Sequence, residues 1–234
     1  MRNLLQRKLR YASVVFAVMI AVAVMPLTAQ AVLIDFDTGF VNLQSVGTVD
    51  IATFGVGAGS TPTGTGFIAN VGSPLTAFVP NDMPAGISSG FFLTDETAGP
   101  SATLNYFIDF SLPVTSLSLD LYDYRAEAGG ASAGDTATLT VFSDFIGGTS
   151  VGTSVFTIPM ANPVDGNVQT LSILAPSGTI LAASLIFSGG DGGTGIDNVN
   201  FTPVPEPSTL LLLGVGLAGA RFVSLGRRRR KEMQ

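Results

Sequence analysis

The chain has 234 residues and a formal net charge of −6, but that charge is unevenly spread. Residues 1–31 carry +4, residues 32–204 carry −14 with Arg125 as their single basic side chain, and residues 205–234 carry +4. An acidic body of this kind repels phosphate backbones and argues against nucleic acid as a partner. The absence of His and Cys throughout, and of Lys from the middle, removes disulfides, thiolate metal sites and the Ser-His and Ser-Lys pairs of nucleophilic catalysis.

The first ten residues, MRNLLQRKLR, are basic, and an apolar run from Val14 to Met25 follows. PLTAQA comes next, with Ala29 and Ala31 as the small residues of an A-x-A cleavage site. Residues 1–31 therefore read as a secretory signal peptide, with cleavage after Ala31 and a mature chain beginning at Val32. The competing reading, an uncleaved anchor, has to contend with the shortness of the apolar run. No adjacent arginines occur here, which favours the general secretory route.

Residues 32–203 lack long segments of helical period and show short apolar alternations instead. In VTSLSLDLYDY, Val114 to Tyr124, Leu117, Leu119 and Leu121 fall on one face and Ser116, Ser118 and Asp120 on the other. TATLTVFSD sets Leu139 and Val141 against Thr138 and Thr140, and TLNYFIDF, VQTLSIL, ILAASLIFS and IDNVNF continue the theme. Asn162-Pro163, Asp165-Gly166 and Ser188-Gly189-Gly190 supply turns between them. This pattern predicts an all-β domain, an antiparallel β-sandwich or jelly roll. No fixed repeat supports the alternative of a parallel β-helix. Gly55 to Gly66, uncharged and rich in glycine, reads as a long loop.

Carboxylates are the acid–base groups left to this body. A two-carboxylate glycosidase could draw on Asp109, Asp120, Asp123 and Glu127, yet nothing in their spacing singles out a pair. The expectation is therefore a non-catalytic domain whose acids keep its surface soluble. A second cluster suits a metal. Asp35 and Asp37 alternate with Ile34 and Phe36, so both carboxylates should leave the first strand on one face. Asp191 lies in GGDGGTG, and Asp197-Asn198 follows. Hard oxygen donors without His or Cys suit calcium. If Asp35, Asp37, Asp191 and Asp197 converge, the first and last strands must be neighbours; the competing reading is a set of solvated Asp turns. The body also resembles lectin-like and carbohydrate-binding jelly rolls, a resemblance that implies paired first and last strands with structural calcium nearby.

The last segment, residues 204–234, has three parts in a fixed order. Pro205-Glu206-Pro207 is followed by an apolar run, Ser208 to Leu225, at the short edge of what spans a bilayer as a helix. Arg221 interrupts this run close enough to its end to snorkel. Arg227, Arg228, Arg229, Arg230 and Lys231 then form a basic cluster expected on the cytoplasmic side. Gly214, Gly216 and Gly219 match G-x-G-x-x-G, but too few residues follow for a dinucleotide-binding unit, and close helix packing suits these glycines better. Motif, span and basic end together resemble a PEP-CTERM sorting signal. That resemblance implies a Gram-negative bacterium that makes exopolysaccharide. It also implies a precursor held in the inner membrane, recognition there by the protease-transpeptidase exosortase, and release to the cell surface or matrix of a biofilm. The two prolines forbid regular helix or sheet at the junction and hold it extended for such an enzyme. At the other end of the chain, N-terminal sequencing of exported protein is expected to begin at Val32; surface material retaining Met1 contradicts the signal-peptide reading.

Overall fold

The structure, a computed structural model, describes residues 29–42, 44–70, 90–94, 105–126, 131–161, 167–175, 179–189 and 194–204. Among them are twelve strands and no helix. They are β1 Val32–Ile34, β2 Ser45–Val46, β3 Thr48–Val49, β4 Ala52–Gly57, β5 Gly66–Asn70, β6 Phe91–Thr94, β7 Asn105–Tyr122, β8 Thr136–Phe142, β9 Ser150–Thr157, β10 Val168–Leu174, β11 Ile180–Phe187 and β12 Gly195–Pro203. Every pairing between them is antiparallel.

β7 organises the fold. Its first part, Asn105 to Phe110, lies between β4 and β11, in a layer that runs β3, β4, β7, β11, β8, β9. Its second part, Ser116 to Tyr122, lies between β10 and β12, in a layer that runs β10, β7, β12, β6, β5, β2. Side-chain parity changes on the way. Tyr106, Ile108, Phe110 and Val114 are buried at even positions, whereas Leu117, Leu119 and Leu121 are buried at odd ones. The change falls between Val114 and Leu117, where the register of β7 against β12 shifts between Thr202 and Pro203, next to a Pro113 that has no N–H to give a ladder.

The two layers bury one core. Phe110 on the first part of β7 meets Phe201 on β12 edge to face, with ring centroids 5.2 Å apart. A methyl group on Gly152 of β9 would overlap Ile173 of β10, so these strands of different layers also touch. Burying each large apolar side chain contributes about 1.5–3 kcal/mol, and aromatic pairs add roughly 0.5–1.5 kcal/mol more.

The alternations expected around Leu117, Leu119 and Leu121, and around Leu139 and Val141, are present with those residues buried. Three expectations are corrected. TLNYFIDF and VTSLSLDLYDY belong to one strand that ends at Tyr122 rather than two, because β7 continues through Pro113 while its register against β11 shifts between Ile180 and Ala182. Gly55 to Gly66 is not a plain loop: β4 runs to Gly57, β5 starts at Gly66, and the chain between folds back on β4. Thr63 and Gly64 donate backbone hydrogen bonds to Val56 O, at 2.8 and 3.0 Å. Glycine at 55 lets Pro62 come close, since a Cβ there would stand 2.8 Å from Pro62 Cβ. Finally, β1 stops at Ile34, and Asp35 and Asp37 lie in the turn beyond it.

Gly195 tests the packing of the second layer. The Phe92 ring lies directly over it, and any side chain there must push the ring aside. Gly195→Ala is expected to destabilise the fold by about 1–3 kcal/mol through overpacking. Gly47, with nothing within 4 Å of its would-be Cβ, is the control, and Gly47→Ala should move stability by less than about 0.5 kcal/mol. Equal denaturation midpoints for the two variants would contradict this packing.

Candidate functional site

β12 is bordered on one side by β7 and on the other by two short strands in succession. β6 pairs with it at Ile196, through Leu93, and β1 pairs with it at Val199, Asn200 and Phe201. The first strand therefore does lie beside the last. The turn after β1 falls where these two partners of β12 meet.

Two residues in left-handed backbone conformation shape this junction. Phe36 has φ 50° and Asn198 has φ 49°. Bulky residues rarely adopt such angles, at a cost of roughly 1–2 kcal/mol. At Phe36 the conformation accompanies a fully buried ring, which packs on Phe54 at 5.4 Å and on Phe40 at 5.6 Å. Its neighbours Asp35 and Asp37 stay half-buried and exposed. Asp37 N donates to Asp35 Oδ1 at 3.2 Å, and Phe91 N, at the start of β6, donates to Asp37 Oδ1 at 2.8 Å. The Asp37 carboxylate thus ties the turn after β1 to β6.

At Asn198 the register of β12 against β7 shifts between Asp197 and Asn200. Such a bulge adds a residue and changes the face that follows. Ile196, Val199 and Phe201 all reach the core as a result, and Asp197 and Asn198 are both left to polar partners. Tyr122 OH donates to Asp197 Oδ2 at 3.1 Å. Asn198 Nδ2 donates to Asp120 Oδ2 at 2.9 Å, and Thr170 Oγ1 donates to Asp120 Oδ1 at 2.6 Å. One polar network therefore crosses β10, β7 and β12. Tyr122 also belongs to a small apolar cluster with Ala69 and Phe92.

Asp197 is the unusual member. Its residue is 5 % exposed, and no donor among the described residues reaches Oδ1. Burial pushes its pKa from the ordinary 3.8 to about 7; the Asn198 amide and Tyr122 hydroxyl pull it down, while the charges of Asp37 and Asp35 push it up. Burial likewise raises the Tyr122 phenol, with the Asp197 charge adding to the shift.

The residues expected from sequence are distributed as follows. The charges of Asp37 and Asp35 act on Asp197, and Asp37 N donates to Asp35 Oδ1. Asp191 lies outside the described residues, as do Glu127, the sorting motif Pro205-Glu206-Pro207 and the basic cluster Arg227–Lys231. Among the described residues, no group of three or more His, Cys, Asp or Glu side chains is placed to hold a metal ion. Of the glycosidase candidates, Asp109 lies on the first part of β7, largely open to solvent, and partial desolvation there raises its pKa. Asp120 is engaged by Thr170 and Asn198. Asp123 is buried with a 3.0 Å ion pair to Arg125. Ala29 and Ala31 are both exposed just ahead of β1. Sequence reasoning missed Tyr122 as the partner of Asp197, and Thr170 and Asn198 as the partners of Asp120. The available signal was the spacing in Ile196-Asp197-Asn198-Val199, where two polar residues between apolar ones break the period of two.

The Asp197 carboxyl binds its proton more tightly folded than unfolded. Its contribution is therefore full below the unfolded value near 4 and is lost as pH rises through about 7. With a chelator present, unfolding free energy is expected to fall by a few kcal/mol, to order of magnitude, between pH 4 and pH 8. Asp197→Asn should flatten most of that fall and be the more stable protein at pH 8. Chemical denaturation across this range checks it; parallel wild-type and variant profiles would sink the assignment.

Among known families, a PEP-CTERM protein-sorting motif matches residues 203–231, beginning at the last residue of β12. No protein of curated function matches the sequence. The K1 cleaved adhesin domain of Lys-gingipain from Porphyromonas gingivalis W83 is similar at 12 % identity and a TM-score of 0.44, covering 75 % of this chain and 99 % of its own. The carbohydrate-binding module TmCBM27, described for mannan recognition, reaches 16 % identity and 0.32 over 75 % of this chain and 99 % of its own. CBM32-1 of a family 31 glycoside hydrolase from Clostridium perfringens reaches 13 % and 0.29 over 58 % and 94 %. These scores are too low to carry function, and the fold rests on the strand pairings described above.

Proposed function

We propose that this chain is an exosortase-sorted surface or extracellular-matrix protein whose non-catalytic β-sandwich, of jelly-roll type, is carried out of the cell and left in contact with exopolysaccharide. The observation that carries this reading is the sorting motif at residues 203–231, which starts where the folded body ends. The last described backbone bond there is Val204 N to Pro113 O, at 2.8 Å. Among the described residues, the buried apolar side chains of the core lie between Ile34 and Phe201, ahead of Pro205.

Residues 1–31 serve export in this reading, and residues 204–234 hold the precursor in the inner membrane until exosortase acts. The non-catalytic assignment is supported by the commitments of the acids. Asp120 and Asp123 are held in hydrogen bonds and an ion pair, which leaves neither poised as a free acid or base beside an open partner. Exopolysaccharide is the partner suggested by the sorting system.

Replacing Pro205-Glu206-Pro207 with three alanines is expected to preserve export and fold but to leave the precursor in the inner membrane. Fractionation with an antibody to the body reads the outcome. Normal release of the triple variant, shortened by its tail, contradicts recognition at this motif. Released protein should also sediment with extracted exopolysaccharide without shortening it; a fall in polymer length would restore the glycosidase reading.

A further inference from the structure

We propose that the end of the body from which the chain leaves for its tail is a bilayer-docking face, on which Leu33, Leu112, Phe145 and Leu174 enter the lipid that anchors the precursor. This deepens the sorting reading and rests on it for the membrane run. Two separate observations carry it. The first is where the chain enters and leaves the body. Val32 lies opposite Phe201, Pro203 lies opposite Val114, and Val204 N donates to Pro113 O at 2.8 Å. The first strand therefore starts, and the last strand finishes, beside the stretch of β7 that passes from one layer to the other.

The second observation is the placement of exposed apolar side chains. Leu112 directly precedes Pro113 in that stretch of β7. Leu174 ends β10 opposite Ser116, which also lies opposite Thr202. Leu33 lies opposite Asn200, two residues before Thr202. Phe145 sits in the turn after β8: Phe142 ends that strand opposite Ala182, and Ile180 lies opposite Val114. Of the seven large apolar side chains exposed among the described residues, these four gather at one end, while Met160, 88 % exposed, lies past the far end of β9. Single exposed leucines need no explanation, but a group of them around the exit of the chain does.

The occupant follows from the length of chain beyond the body. The apolar run of the tail begins at Ser208, four residues past Val204. An extended chain covers about 3.3–3.6 Å per residue, so this tether holds the exit within about 14 Å of the hydrocarbon. The headgroup layer between them is roughly 5–7 Å deep. Interfacial apolar side chains bury about 5–10 Å into that boundary, so the four residues can reach it. Charge cannot supply the attraction. Arg125, the body's single basic side chain, is paired with Asp123 beyond Tyr122, at the other end of this part of β7. The described acids on the docking side are Asp50, Asp109 and Asp144, the last accepting from Thr149 N at 2.9 Å. Docking is therefore apolar, indifferent to salt and no stronger on anionic lipid than on neutral lipid. It keeps the sorting motif, the next residues in the sequence, at the depth where a membrane enzyme works.

The test uses the full chain in vesicles of phosphatidylethanolamine and phosphatidylglycerol that hold no other protein. The chain has no cysteine, so Leu33→Cys, Leu112→Cys, Phe145→Cys and Leu174→Cys each take one environment-sensitive label at an exposed position, with Met160→Cys as the control. The four labels should shift to the blue and be quenched by brominated lipid, while the label at position 160 should report water and be quenched several-fold more by iodide. The pattern should persist in high salt and in phosphatidylcholine alone. Adding Leu112→Ser and Leu174→Ser to Phe145→Cys should return its label towards the iodide quenching of the control. Flotation separates the two readings. A chain that does not float with the vesicles overturns the membrane anchoring and the docking face together. A floating chain whose four labels quench like the control overturns the docking face alone. Labels that are aqueous in these vesicles but shielded in inner membranes carrying exosortase also overturn it, and assign the face to a protein.

Discussion

The pairing of the first strand with the last is the contact that closes the two ends of the body and positions the polar junction at β12. Val32, Leu33 and Ile34 lie opposite Phe201, Asn200 and Val199, so residues nearly the whole domain apart in sequence become neighbours. Closing so long a loop costs entropy that local contacts cannot repay. What offsets it is burial on either side of the pair: Ile34 and the Phe36 ring from the first strand and its turn, Val199 and Phe201 from the last. Because β1 covers only part of β12, the remainder is left for β6. The turn between them inherits the polar chemistry.

β12 therefore holds three roles along nine residues. Its odd positions Val199 and Phe201 fill the core, its bulge exposes Asp197 and Asn198 to polar partners, and its end hands the chain to the sorting motif. These roles are compatible because the bulge changes side-chain parity between the polar and apolar portions. A regular strand would have turned either Ile196 or Val199 out of the core. The strained backbone at Asn198 and the buried carboxylate at Asp197 are adjacent costs, tolerated because the strands on both sides of β12 hold it in place.

Much of the architecture was legible in the chain. Alternation around Leu117–Leu121 and Leu139–Val141 marks strands because one face is buried, and such patterns survive whatever the topology. That the first strand lies beside the last was likewise expected from the chain, and the two strands do pair. Other features were hidden for identifiable reasons. β9, SVGTSVFT, is an edge strand in which small polar residues carry little periodic signal. Pro113 reads as a breaker, although here it marks the bend at which one strand changes layers. Phe36 follows alternation in being buried, but the left-handed backbone that puts it there cannot be read from residue type. The orphaned Asp197 oxygen depends on three strands meeting, which no local pattern encodes.

The closure of β1 on β12 can be measured without ambiguity because the chain contains no cysteine. Leu33 and Asn200 are directly opposed, and neither is buried. Opposed antiparallel residues have Cα atoms about 4.5–5.5 Å apart, inside the range a disulfide spans. The double variant Leu33→Cys, Asn200→Cys should oxidise to an intramolecular disulfide in the native protein and melt at or above the wild-type temperature. Leu33→Cys paired with Thr202→Cys, displaced along the strand, should cross-link far less. Free thiols in the folded opposed pair, or preferential cross-linking of the displaced one, would contradict the closure and the site built upon it.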